Sequence, residues 1–135
     1  VAHHLMPEEL LKNGLASALN DFAVSVPGAI FQAVGDIHLE KDVELVLYRC
    51  AYELVNNAVK SAQAQHISVE LLIDESRTAI CVRDDGRGFD LSQSEGEGSG
   101  ISNIRERIAA IGGTLNIHSE PQNGTEINIE LPNTP

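Results

Sequence analysis

Glu53, Asn56, Asn57 and Lys60 lie in the single stretch Glu53-Leu54-Val55-Asn56-Asn57-Ala58-Val59-Lys60. At about 3.6 residues per turn they fall, with Arg49, within about 100° of one another on a helix. Asparagine is a poor helix former, so two in succession on a helix face are not there for helix stability. The amide oxygen of Asn57 is a hard, neutral donor of the kind Mg²⁺ accepts while retaining waters and sharing phosphate oxygens. Glu53, one turn earlier, could orient a metal-bound water, and Lys60 could reach a phosphate as a point charge. The other reading of the stripe is a solvated helix face, on which Glu53 and Lys60 stand too far apart to support each other.

Two further groups carry chemistry. Asp84-Asp85-Gly86-Arg87-Gly88 reads either as a strand-end turn or as a place where glycines admit a ligand close to the backbone. Gly96-Glu97-Gly98-Ser99-Gly100 precedes a helix, where free N–H groups make an anion cradle. It also reads as a plain glycine-rich loop. It is not a P-loop, because no Gly-Lys-Ser/Thr occurs, and Ile101 stands where a dinucleotide fingerprint requires glycine. His3, His4, His38, His66 and His118 show no metal-ligand spacing, and no nucleophile–base arrangement can be argued.

The elements that position these groups follow from periodicity. Val43, Leu47, Cys50, Ala51, Leu54, Val55, Ala58 and Ala62 recur at helical spacing and predict a long helix from about Asp42 to Ala64. Leu15, Leu19, Phe22 and Val26 predict a shorter helix, closed by Pro27-Gly28. Strands are predicted over 29–37, 67–73, 78–82, 114–118 and 125–131, with hairpin turns at 74–77 and 121–124. A further helix carries Ile101, Ile104, Ile108 and Ile111 and stops at Gly112-Gly113. The fold class expected is an α/β two-layer sandwich, a mixed, largely antiparallel sheet covered on one face by helices. Strand alternation turns Asp84 the same way as Ile80 and Val82, and Thr125 the same way as Ile127, Ile129 and Leu131. An inward carboxylate needs a partner. Asp84 and Thr125 make a plausible floor for a flat, hydrogen-bonding ligand such as adenine, whereas Asp85 points outward toward solvent.

With 135 residues the chain makes one domain with a real core. Its net charge of −11 argues against nucleic acid and against an anionic membrane surface as partners. A nucleotide remains compatible if local cations and Mg²⁺ offset repulsion. Lys60, Arg87, Arg105 and Arg107 are the cations near the motifs. No apolar run approaches a membrane span and no signal peptide is visible. Cys50 and Cys81 read as reduced core thiols.

In this order, helix E-x-x-x-N, strand-end D-x-G-x-G, G-x-G before a helix, and Gly124-Thr125 in a late strand resemble the N, G1 and G2 boxes of the Bergerat ATP-binding fold. That superfamily holds sensor histidine kinases, type II topoisomerase ATPase subunits, chaperones and mismatch-repair ATPases. The likeness covers about residues 8–132. ELVNNAVKSAQA and SNIRERIAAIGGTL look like the sensor kinases that partner NarL/LuxR-type response regulators. LMPEELLKNGLASAL looks like their junction with the dimerisation helices. Residues 1–7 would thus be a remnant of that helix or linker, and 8–135 the ATP-binding catalytic domain.

The resemblance implies a catalytic set of Glu53, Asn57 and Lys60. Asn57 would ligate Mg²⁺, Glu53 would act through water, and Lys60 would contact phosphate. It implies an ATP-binding set of Asn56, Asn57, Lys60, Asp84, Gly86, Gly88, Gly98, Ser99, Gly100, Ile101 and Thr125. Asp84 would accept from the adenine amino group, aided by a water and Thr125. Ser61 stands where many relatives carry His, and Ile104 where Met is common. No phosphoacceptor H-box is present, so the histidine would belong to a dimerisation domain outside this chain. The expected cofactors are ATP and Mg²⁺. Expected partners are that dimerisation domain and, through the full-length kinase, a response regulator. The full-length protein would be a homodimer, and the chain itself can stand as a monomer. A cytoplasmic location follows, with the parent open to anchoring in the bacterial inner membrane. The alternatives are a self-contained ATPase, a serine kinase of the anti-sigma type, and a degenerate module without nucleotide.

Overall fold

In the computed structural model, residues 8–35, 39–60, 63–87 and 100–133 are described. The elements run α1 (Glu8–Asn13), α2 (Leu15–Val24), β1 (Ala29–Val34), α3 (Lys41–Lys60), β2 (Ile67–Ile73), β3 (Arg77–Asp84), α4 (Gly100–Ala110), β4 (Thr114–Ser119) and β5 (Thr125–Pro132). Five strands form one sheet in the order β1-β2-β3-β5-β4. Among the described residues only β1 and β2 pair in parallel; the other three pairs are antiparallel. This is the mixed, largely antiparallel sheet expected of a Bergerat fold.

Alternation explains the layers. Ile67, Val69, Leu71 and Ile73 of β2, Ile80 and Val82 of β3, and Ile127, Ile129 and Leu131 of β5 are buried because every second side chain meets the helices. Leu47, Cys50, Ala51, Leu54, Val55 and Ala58 of α3, with Ile104 and Ile108 of α4, fill the other side of that core. The opposite sheet face carries ions. Arg83 donates to Glu126 at 2.6 Å and to Glu70 at 3.0 Å, and Arg77 to Glu130 at 2.9 Å. Cys50 is buried as expected, but Cys81 is only half-buried. It alternates with Ile80 and Val82 and so belongs to the outer face, which corrects the expectation of a core thiol.

Several details differ from the sequence expectation, β3 for example running Arg77–Asp84 rather than 78–82. The six-residue α1 was not foreseen, because so short a helix shows no periodicity. The last residues of the strand expected over 29–37 lie partly outside the described residues, and β1 ends at Val34. The long helix is described to Lys60, and Gln63 and Ala64, expected within it, lie outside it. Gln63 takes a left-handed φ of 56°, and the Ala64 N–H donates to the Ala58 carbonyl at 3.0 Å. The left-handed residue at a helix end is usually glycine; here no glycine advertised it.

α3 is fastened to the N-terminal helices by a buried carboxylate. Glu44, 2 % exposed, accepts from the Leu15 N–H at 3.2 Å and from Lys41 Nζ at 3.0 Å. Lys41 also donates to the Leu10 carbonyl at 2.9 Å. The first N–H of α2, an orphan donor in any helix, thus finds its acceptor on α3.

Candidate nucleotide site

The site begins at the end of β3. Asp84 and Thr125 are register partners across the antiparallel β3–β5 pair. Asp84 is half-buried and Thr125 buried, both on the face that meets the helices. The Asp84 carboxylate accepts from the Gly86 N–H at 2.8 Å. Burial pushes its pKa above the ordinary value, and the neighbouring Asp85 charge adds to this. The backbone N–H groups of Gly86 and Thr125 pull the other way. The Thr125 hydroxyl lies 2.8 Å from that of Ser119.

Gly124 makes this approach possible. Its φ is +79°, and a Cβ there would stand 2.3 Å from the Asp84 carbonyl oxygen. Only glycine lets β5 begin this close to the end of β3. The cleft at this end of the sheet is lined by Asp84, Ser119, Gly124 and Thr125 among others, from β3, β4, β5 and the β4–β5 turn.

Asp85 corrects its expected role. It does point away from Asp84's face, but it is not merely solvated. Its carboxylate accepts from the Gln65 and His66 N–H groups at 2.8 and 2.9 Å and meets His66 Nδ1 at 2.7 Å. The His66 contacts lead in holding its pKa down at about 2. Asp85 therefore pins the start of β2 to the end of β3.

On α3, Glu53 and Asn56 are half-buried and Asn57 and Lys60 exposed. The helix packs on β2, β3 and α4, so its polar stripe rises from the same layer that covers Asp84 and Thr125. The stripe does not line the β3–β5 cleft itself. Arg107 of α4 donates to Glu53 Oε1 at 2.8 Å. The sequence marks Arg107 only as a cation near the motifs. Gly100 and Ile101 open α4, with Ile101 half-buried. Gly88, Gly98, Ser99 and Ser61 lie outside the described residues, as does the loop over 91–99. Ile104 is fully buried, so the side chain at that position is a packing choice.

Among the described residues no cluster of three or more His, Cys, Asp or Glu side chains is placed to hold a metal. A cation here would have to share its ligands with phosphate and water. The neutral Asn57 amide and the nearby Glu53 carboxylate fit Mg²⁺ on those terms. Among the described residues no helix is long and apolar enough to cross a membrane.

With this geometry the chain's relatives can be placed. Residues 42–135 match the histidine kinase-, DNA gyrase B- and HSP90-like ATPases, and the chain belongs to that family. It is 29 % identical over 133 residues to the sensor protein VraS of Staphylococcus epidermidis, and 28 % to VraS of Staphylococcus haemolyticus and of Staphylococcus aureus. Each alignment covers 96 % of this chain and 38 % of the relative, so the chain spans well under half the length of these proteins. Among solved structures, the ATP-binding domain of PrrB from Mycobacterium tuberculosis matches with a TM-score of 0.66 and 18 % identity, over 90 % of this chain and 92 % of that one. The histidine kinase domain of the blue-light activated kinase from Erythrobacter litoralis matches with a TM-score of 0.62 and 24 % identity, over 87 % and 57 %. These two likenesses speak to the fold.

Proposed function

We propose that this chain is the ATP-binding catalytic domain of a two-component sensor histidine kinase of the kind that partners NarL/LuxR-type regulators. Residues 8–135 form that domain, and the phosphoacceptor histidine belongs to a dimerisation domain of the parent protein. The reading rests on one observation above others: a half-buried Asp84 set opposite Thr125 under the helix layer. That carboxylate accepts from Gly86 and keeps further acceptor capacity, for which the exocyclic amine of adenine is a fitting donor.

Asp84 accepts from that amine, with Thr125 beside it, and Gly86 lets the base lie against the backbone. Asn57 would hold Mg²⁺ through its amide oxygen, Glu53 would orient its water, and Asn56 and Lys60 would bind the phosphates. Gly88, Gly98, Ser99, Gly100 and Ile101 complete the phosphate end. When bound, Mg²⁺ would supply charge neutralisation at the phosphates, and phosphoryl transfer asks chiefly for such neutralisation and for positioning. The γ-phosphate is then presented to a histidine from the dimerisation domain. Calorimetry with ATP or ADP and Mg²⁺ tests this: the chain should bind nucleotide and show negligible autophosphorylation. Absence of binding with Mg²⁺ present would overturn the reading.

A further inference from the structure

We propose that Arg107 is a positioning residue, holding the Glu53 carboxylate in the orientation it needs to face the water shell of a cation at Asn57. This rests on the nucleotide reading above. Arg107 Nη1 donates to Glu53 Oε1 at 2.8 Å, across 54 residues of sequence and between two different helices. The side chains are 48 % and 39 % exposed, and a pair so open to water adds little to stability. Its consequence is geometric. A glutamate on a helix surface otherwise samples many rotamers, and a guanidinium N–H fixes one oxygen along a defined direction.

The bond leaves work for the other oxygen. An ionised carboxylate offers about four acceptor sites on two oxygens, and Arg107 uses Oε1. The Oε2 atom of Glu53 is the second acceptor of a carboxylate whose Oε1 Arg107 engages. Asn57 follows Glu53 by four residues, one turn on, so both side chains rise from one face of α3.

The contact also ties two ends of the proposed site. α3 carries the cation wall, while α4 begins at Gly100 and Ile101 at the phosphate end. Groups that orient a metal's ligand or water shell typically change metal-dependent affinity by roughly 10- to 100-fold when removed. A residue that only braced the helices would lower nucleotide affinity whether or not metal was present.

The test is calorimetric titration of the 135-residue chain with ADP in excess Mg²⁺ and again in EDTA. The proteins are wild type, Arg107→Gln, Arg107→Lys, Glu53→Gln and the Arg107→Gln/Glu53→Gln double variant, each checked for native circular dichroism. Arg107→Gln should weaken binding about tenfold in Mg²⁺ and leave EDTA binding unchanged. Arg107→Lys should recover part of the loss, and the double variant should be no weaker than Glu53→Gln alone. Equal losses with and without Mg²⁺, or additive losses in the double variant, would overturn the proposal. A wild type that binds Mg²⁺-ADP no better than Arg107→Gln overturns it too, while leaving the nucleotide reading intact. A wild type that binds no nucleotide removes both.

Discussion

Asp84 and Thr125 meet at the last register position of the β3–β5 ladder, where Gly124 lets the two strands close. The carboxylate is half-buried and draws on backbone N–H groups of Gly86 and Thr125, yet burial still raises its pKa. It is a desolvated acceptor on the floor of the helix layer, and the affinity of the domain for adenine should depend on it.

Asp84→Asn should therefore weaken ATP binding by roughly 10- to 100-fold, because a hydrogen bond to a charged group is worth about 1.5–3 kcal/mol. Asp85→Asn, whose carboxylate faces Gln65 and His66, should largely spare affinity. Calorimetry of both variants decides this, and equal losses would contradict the assignment of Asp84 as the inward acceptor.

The two neighbouring aspartates should also separate in pH. Asp84 titrates above its ordinary 3.8, so its carboxylate is the first to be lost on acidification. Asp85 stays ionised down to about 2. A depressed pKa contributes stability that is present above 3.8 and disappears as pH falls toward the folded value. A raised one contributes the opposite sign, present below 3.8 and lost as pH rises through the folded pKa. ATP affinity should hence fall at higher pH than the fold does. In Asp85→Asn, the share of acid destabilisation between 3.8 and about 2 should be missing. Affinity and near-ultraviolet circular dichroism followed over one pH series measure both limbs, and a single shared midpoint would count against the separation.

How far the sequence could carry this follows from the range of each interaction. Asp84 and Thr125 were readable because strand alternation has a period of two, and the α3 stripe because helices repeat every 3.6 residues. Both are local rules. The Glu53–Arg107 and Leu15–Glu44 bonds join residues 54 and 29 positions apart, and no local period marks them. For Asp85 parity gives the outward direction, which the structure bears out, but it could not say that the start of β2 waits there. The end of α3 was misjudged because glutamine, not glycine, takes the left-handed turn at position 63.

Glu44 gives a prediction about stability rather than binding. Glu44→Ala leaves the Leu15 N–H and the Lys41 ammonium without their shared acceptor and opens a gap under α2. Lys41 is 44 % exposed, so water recovers part of that loss. The cost should be about 2–3 kcal/mol, below that of breaking a fully buried pair. Glu44→Gln, which keeps an acceptor oxygen, should lose about half as much. Urea unfolding of the two variants measures the difference. Identical losses would mean that packing, not the carboxylate, carries the link between α2 and α3.

Gly124 ties stability and binding together. Alanine there faces two obstacles: a φ of +79° that L-residues seldom adopt, and a Cβ 2.3 Å from the Asp84 carbonyl oxygen, a backbone atom that cannot swing aside. The start of β5 must retreat from the end of β3, which moves Thr125 away from Asp84. Gly124→Ala should then destabilise the domain by more than about 1 kcal/mol and also weaken ATP binding. Gly112→Ala provides the comparison, since its φ of +88° is equally strained but nothing lies within 4 Å of its Cβ. That variant should lose stability alone. If Gly124→Ala lost stability but kept full affinity, the close approach of β5 to Asp84 would not be what shapes the adenine end of the site.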